Sequence, residues 1–185
     1  MIFAIQDANI LIDLHNTGLL ENYFALENDT HTTDLVLQEV RHDVENYIQR
    51  GDLKVKTVTA AELQQLLAFK ATQPSSVSLE DCSVFQFAIE KGAILLTGES
   101  TLRNCAKRAN VEAHGIIWLF DLMLEKQALT LKAAIKAMDK LIQTNPRLPL
   151  EECHKRLRKW TAQAGVQASQ RAMSFLTKDV SRVRL

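Results

Sequence analysis

The chain has 185 residues, 46% hydrophobic and 24% charged, which supports one domain with a sizeable core and a short appendage but not two full domains. No apolar run approaches the roughly 20 residues of a membrane helix, no signal-like segment opens the chain, and three scattered cysteines, Cys82, Cys105 and Cys153, give neither a disulfide framework nor a zinc pattern, so a reducing cytoplasm with no membrane partner is expected. The zero net charge is uneven: residues 151–185 hold eight basic and three acidic residues, +5, and the remainder fourteen and nineteen, −5.

In chain order, residues 2–5 form a short apolar run that reads as a strand ending at Gln6-Asp7. Ile10, Leu11 and Leu14 then share one helical face, and Gly18 breaks the pattern before a second amphipathic segment over 19–26. After the polar stretch 27–33, to which no strand is assigned, Leu35-Val36-Leu37 leads into a helix with Glu39 near its start. Residues 53–58 alternate with period two, the pattern of a half-buried strand. Thr59 and Glu62 form a capping-box pair for a helix to about residue 70, and Ser78 and Asp81 stand at the same spacing before a helix that Gly92 closes. Residues 93–96 form a continuous apolar run suited to a strand covered on both faces. A helix over 101–109, a short strand within 111–115 and a helix over 116–126 follow, with Trp118 at core spacing.

From Thr130 the pattern is helical apart from Asn145-Pro146-Arg147-Leu148-Pro149. The basic tail suits a polyanion or an acidic partner, and a solvated helix face explains it equally well. Alternating strands and helices indicate an α/β domain with a central, mainly parallel sheet between helical layers, over residues 1–128, followed by a helical C-terminal extension over 129–185.

In such a sheet ligands bind beyond the carboxyl ends of the strands. Asp7 and Glu99 each follow an apolar strand, and Glu39 and Asp81 lie within about a turn of helix starts. Gathered together, these acids need a compensating cation, and hard oxygen donors favour Mg2+ or Mn2+. Each also has a plainer reading: Asp7 as an N-cap, Asp81 as half of a capping box, Glu39 as a solvated helix residue, and Glu99 as a carboxylate favoured by the following helix N-terminus. Position by position, the alternatives stay open.

The order and local context of the acids are more specific. The segments Asp7-Ala8-Asn9-Ile10-Leu11-Ile12-Asp13-Leu14, Val36-Leu37-Gln38-Glu39-Val40 and Leu79-Glu80-Asp81-Cys82-Ser83-Val84-Phe85 resemble the first three acidic motifs of the PIN-domain family. Leu95-Leu96-Thr97-Gly98-Glu99-Ser100-Thr101 resembles the fourth, with Glu99 where that family usually has Asp. The resemblance covers residues 1–126 and implies a PIN-like three-layer α/β/α sandwich. It also implies a metal-dependent endoribonuclease of the kind found among VapC-type toxins.

On that resemblance, Asp7, Glu39, Asp81 and Glu99 form the catalytic cluster. Asp7, Asp81 and Glu99 hold Mg2+ or Mn2+, and Asn9, Thr97 and Arg103 face the substrate. The implied partners are RNA, an antitoxin protein and a second copy of the chain. A PIN fold that binds RNA or protein without strong catalysis is the alternative. A phosphoacceptor domain lacks its strand-end lysine beyond Thr97, and His42-Asp43 alone is thin support for a His-Asp phosphohydrolase.

Overall fold

A computed structural model describes the backbone of residues 3–182 and the side chains of residues 3–40 and 42–166. The side chains of the basic tail from residue 167 onward therefore lie outside the described residues. Among the described residues, five strands form one parallel sheet in the order β3-β2-β1-β4-β5. The strands are β1 (Phe3–Gln6), β2 (Asp29–Thr33), β3 (Leu53–Lys56), β4 (Ile94–Leu96) and β5 (Ala113–His114). The connecting helices are α1 (Ala8–Thr17), α2 (Leu20–Phe24), α3 (Asp34–Arg50), α4 (Ala60–Ala71), α5 (Leu79–Lys91) and α6 (Ser100–Arg108), and α7 (Ile116–Glu125) follows β5. This is the expected α/β/α sandwich, with a sheet that is wholly rather than mainly parallel.

The chain lays down β1, β2 and β3 in one direction and then returns to place β4 on the other side of β1. The reversal between β1 and β4 is the switch point at which an open parallel sheet leaves a crevice at its carboxyl edge. The core that fixes it is apolar on both sides of the sheet: Ile5, Leu95 and Leu96 from the strands, Ile10, Leu11 and Leu14 from α1, and Val84, Leu102, Leu119 and Phe120 from other helices are almost fully buried. Local signals end these helices, at Gly18 and Gly92 as expected and at Gly51 besides. Gly18, Gly51 and Gly92 adopt left-handed conformations at helix C-caps, where an added Cβ is strained.

β2 departs from the sequence expectation, because the polar stretch before α3 contains an interior strand. Its residues Asp29-Thr30-His31-Thr32-Thr33 lack an apolar pattern, yet Thr30, Thr32 and Thr33 are buried. Threonine suits a strand because its β-branch is at home on a pleated surface. Its hydroxyls are matched here: Thr32 donates to the Gln6 carbonyl at 2.9 Å, and Thr33 lies 2.6 Å from Ser83 Oγ.

The chain divides into two compact units, Met1–Ala128 and Leu129–Leu185. In the second, α8 (Leu131–Thr144) and α9 (Leu150–Arg182) pack on each other. Ala134, Ala137, Met138 and Leu141 of α8 are buried, as are Cys153 and Trp160 of α9, a spacing of three, four and seven residues that puts each set on one helical face. Among the described residues, no helix is long and apolar enough to cross a membrane.

Candidate active site

β1 ends at Gln6, and Asp7 is the N-cap residue of α1, in extended conformation but without a side-chain cap bond. Its carboxylate thus caps no later turn of the helix, although the adjoining Ala8 N–H helps to hold it, and it is only 2% exposed. Across the switch point, β4 runs into Thr97, whose hydroxyl accepts from the Glu99 backbone N–H at 3.1 Å and donates to Asp7 Oδ2 at 2.8 Å. The accepted hydrogen bond orients the hydroxyl so that its proton points to Asp7. Asn9, on the first turn of α1, donates from Nδ2 to Asp7 Oδ2 at 3.3 Å and reaches Glu99 Oε1 at 3.5 Å. One amide thus bridges two acids that lie 92 residues apart in sequence.

Asp81 takes part in a complete capping box. Ser78 Oγ accepts from the Asp81 N–H at 2.9 Å, and Asp81 Oδ2 accepts from the Ser78 N–H at 2.8 Å. The capping reading of this residue is therefore correct, and it locks the carboxylate's rotamer. The residue is 7% exposed and its charge acts on Asp7. Burial first, and then the negative charge of Asp81, push the Asp7 carboxyl from the ordinary 3.8 up to about 6, against the pull of the Thr97 and Asn9 hydrogen bonds. Asp81 is itself raised, chiefly by burial, with Glu99 and Glu80 adding repulsion.

Asp7, Asn9, Asp81, Thr97 and Glu99 thus come together at the carboxyl edge. Glu99 is the N-cap residue of α6 and has no side-chain cap bond. Glu39 lies on the second turn of α3 with its side chain exposed. Arg103, one turn into α6, donates from Nη1 to the Thr97 carbonyl at 2.9 Å and lies against Gly115. Its guanidinium is held beside the cluster.

Two features escaped the sequence reading. A Cβ at Gly98 would lie 3.3 Å from the Asn9 Cβ, so this glycine lets the β4–α6 turn close on α1. Trp118 is half-buried and stacks on His114 with ring centroids 4.1 Å apart and an interplanar angle of 5°; Trp160 is the buried tryptophan.

No group of three or more His, Cys, Asp or Glu side chains among the described residues is gathered closely enough to cage a metal. The acids instead interact in pairs, and the charges that raise Asp7 and Asp81 belong to other carboxylates. Such a donor set fits a hard, largely hydrated divalent cation, which takes one or two carboxylates and fills its remaining positions with water and phosphate oxygen.

A family model described as DUF3368, PIN domain, matches residues 3–162. The chain belongs to the PIN domain family. The PIN match runs beyond the sheet-bearing unit and into α9. In sequence, the chain is 28% identical over 93 residues to endoribonuclease Nob1 of Methanocaldococcus jannaschii, a match that covers 49% of this chain and 47% of that protein. The aligned part is about half of the relative's length. In structure, the chain is similar to a PilT N-terminus domain protein, SSO1118, from the archaeon Sulfolobus solfataricus, with TM-score 0.46, 18% identity and coverage of 67% of this chain and 95% of that one. It is also similar to PAE2754 from Pyrobaculum aerophilum, with TM-score 0.48, 15% identity and coverage of 69% and 98%.

Proposed function

We propose that this PIN protein is a metal-dependent endoribonuclease whose reaction is organised by Asp7, Asp81 and Glu99. The observation that carries the reading is Asp7: a carboxylate placed at the sheet's switch point, without a side-chain cap bond to its helix, and pushed up by its burial and by a second acid. Such an arrangement costs stability unless a cation or a proton offsets it. Hydrolysis of RNA is the chemistry supported by PIN membership and by the endoribonuclease activity named for the archaeal relative.

Asp7, Asp81 and Glu99 would hold Mg2+ or Mn2+, with Glu39 contributing through water. A divalent cation bound there lowers the pKa of the attacking water and offsets the charge that builds on the scissile phosphate. The chain's own residues supply placement. Thr97 holds Asp7 through its proton, Asn9 ties Asp7 to Glu99, and the capping box holds Asp81 in one rotamer. Arg103 would present its remaining N–H donors to a phosphate oxygen. The resemblance to VapC-type toxins extends the proposal to a cytoplasmic protein restrained by an antitoxin or paired with a second copy.

The test is cleavage of single-stranded RNA with Mn2+ by the full chain and by D7N and D81N. At least a hundredfold loss in each variant is expected. Undiminished activity in both would refute the catalytic assignment, and an inactive parent that still binds RNA would favour the reading as a binding module.

A further inference from the structure

Beside the acids, between α6 and β5, lies a groove of about 520 Å3 lined by Arg103, Asn104, Lys107, Asn110, Glu112 and Ala113. Arg103 and Lys107 are four residues apart on α6 and so share a face, about 6 Å apart along the axis. That spacing is of the order of the separation of neighbouring phosphates in a single strand. Because α6 opens at Glu99, this cationic face leads directly away from the carboxylates. At its near end, the Arg103 backbone N–H donates to the Glu99 carbonyl at 3.0 Å and its guanidinium is fixed to Thr97. At its far end, Asn110 adopts a left-handed φ of 54° and the Val111 N–H donates to the Ala106 carbonyl at 2.9 Å, which closes the last turn. The walls are therefore preformed.

Among the described residues β5 is an edge strand paired with β4 alone, so the groove opens on the sheet's outer side. Lys107, Asn104 and Asn110 are exposed, and Glu112, the carboxylate on the lining, is engaged with His114 Nε2 at 2.7 Å. His114 in turn stacks on half-buried Trp118, which places an aromatic pair next to the rim. In a unit whose overall charge is negative, a strip of cations interleaved with amide donors complements a polyanion.

The geometry points to the α6–β5 groove as the track for the sugar–phosphate backbone of single-stranded RNA on one side of the scissile phosphate. Arg103 takes the phosphate nearest the acids and Lys107 the next one out. This rests on the nuclease reading, because the groove begins where the phosphodiester would be cut, and its occupant would be continuous with the substrate. Phosphate contacts of this kind set affinity and register without reading sequence.

Binding is measured by fluorescence anisotropy of a labelled single-stranded oligoribonucleotide on the full chain carrying D7N, over a series of salt concentrations, with K107E, the milder K107Q, and K91E as control. Lys91 is exposed at the end of α5, outside the lining of the groove. K107E should weaken binding about tenfold or more and lower the salt slope by about one, K107Q less so, and K91E little. With Asp7 restored, the K107E effect should fall on KM rather than kcat. If RNA is bound and cut but K107E behaves like K91E, the groove assignment fails and the nuclease reading stands. If the parent neither binds nor cuts RNA, the nuclease reading fails and the groove with it. If K107E loses an acidic peptide instead of RNA, the groove is a protein surface and the proposal is overturned.

Discussion

Asp7 concentrates the tension of the site in one side chain. Its folded pKa, about 6, lies above the ordinary 3.8, so the folded state holds the proton more tightly than the unfolded chain. Its stabilising contribution is fully present below 3.8 and lost as pH rises through 6. Without divalent cations, D7N should therefore be more stable than the parent at pH 7.5, by on the order of 3 kcal/mol, and the gap should shrink toward zero near pH 4. Thermal unfolding of both proteins with a chelator, at the two pH values, is the check, and a pH-independent difference would contradict the cause given. Gly98 is the second residue of consequence. In G98A the new Cβ meets Asn9 Cβ at 3.3 Å, so Asn9 has to shift by a few tenths of an ångström. Cleavage should slow about three- to tenfold while stability changes by less than about 1 kcal/mol, which kcat and the melting temperature would separate.

At the scale of elements, two helices begin with the same device and only one of them faces the acids. Thr59 and Glu62 open α4, and Ser78 and Asp81 open α5, each with both reciprocal bonds present. T59A and S78A should each cost about 1 kcal/mol of stability. S78A should also raise the Asp81 carboxyl further, because the Ser78 hydroxyl adds to the backbone N–H, which alanine keeps, in lowering it, and so weaken RNA cleavage at neutral pH. T59A should leave cleavage per folded molecule unchanged. Equal losses of cleavage in both would mean that the α5 cap matters only for folding. The same local logic explains why α1, α4 and α5 were legible in the sequence while β2 was not. Capping residues and apolar helical spacing act within one segment. A strand of threonines becomes interior only because Gln6 and Ser83, distant in sequence, meet its hydroxyls.

For the whole molecule, a cation that binds the folded acids and not the unfolded chain must raise stability by mass action. Mn2+ at about a hundred times its dissociation constant should add about 2.7 kcal/mol, several degrees of melting temperature for a chain of this size. D7N and D81N should abolish most of that shift. A shift of the same size in both variants would place the cation elsewhere. This test does not depend on finding the right RNA.

The sequence by itself determined the alternation of strands and helices, the parallel α/β class, the capping boxes, and Asp7 and Glu99 at strand ends, because these follow from periodicity and short-range chemistry. Order and context of the four acids were enough to suggest the family, and the match over residues 3–162 shows it. Only the tertiary structure decided which acids meet. The return of β4 beside β1 brings Thr97 and Glu99 to Asp7 and Asn9, the packing of α5 brings the charge of Asp81 to bear on Asp7, and Glu39 stays exposed on α3. It also put Trp118 against His114 rather than in the core. Such outcomes depend on which strands are neighbours and how closely their loops approach, and neither is encoded within any single segment.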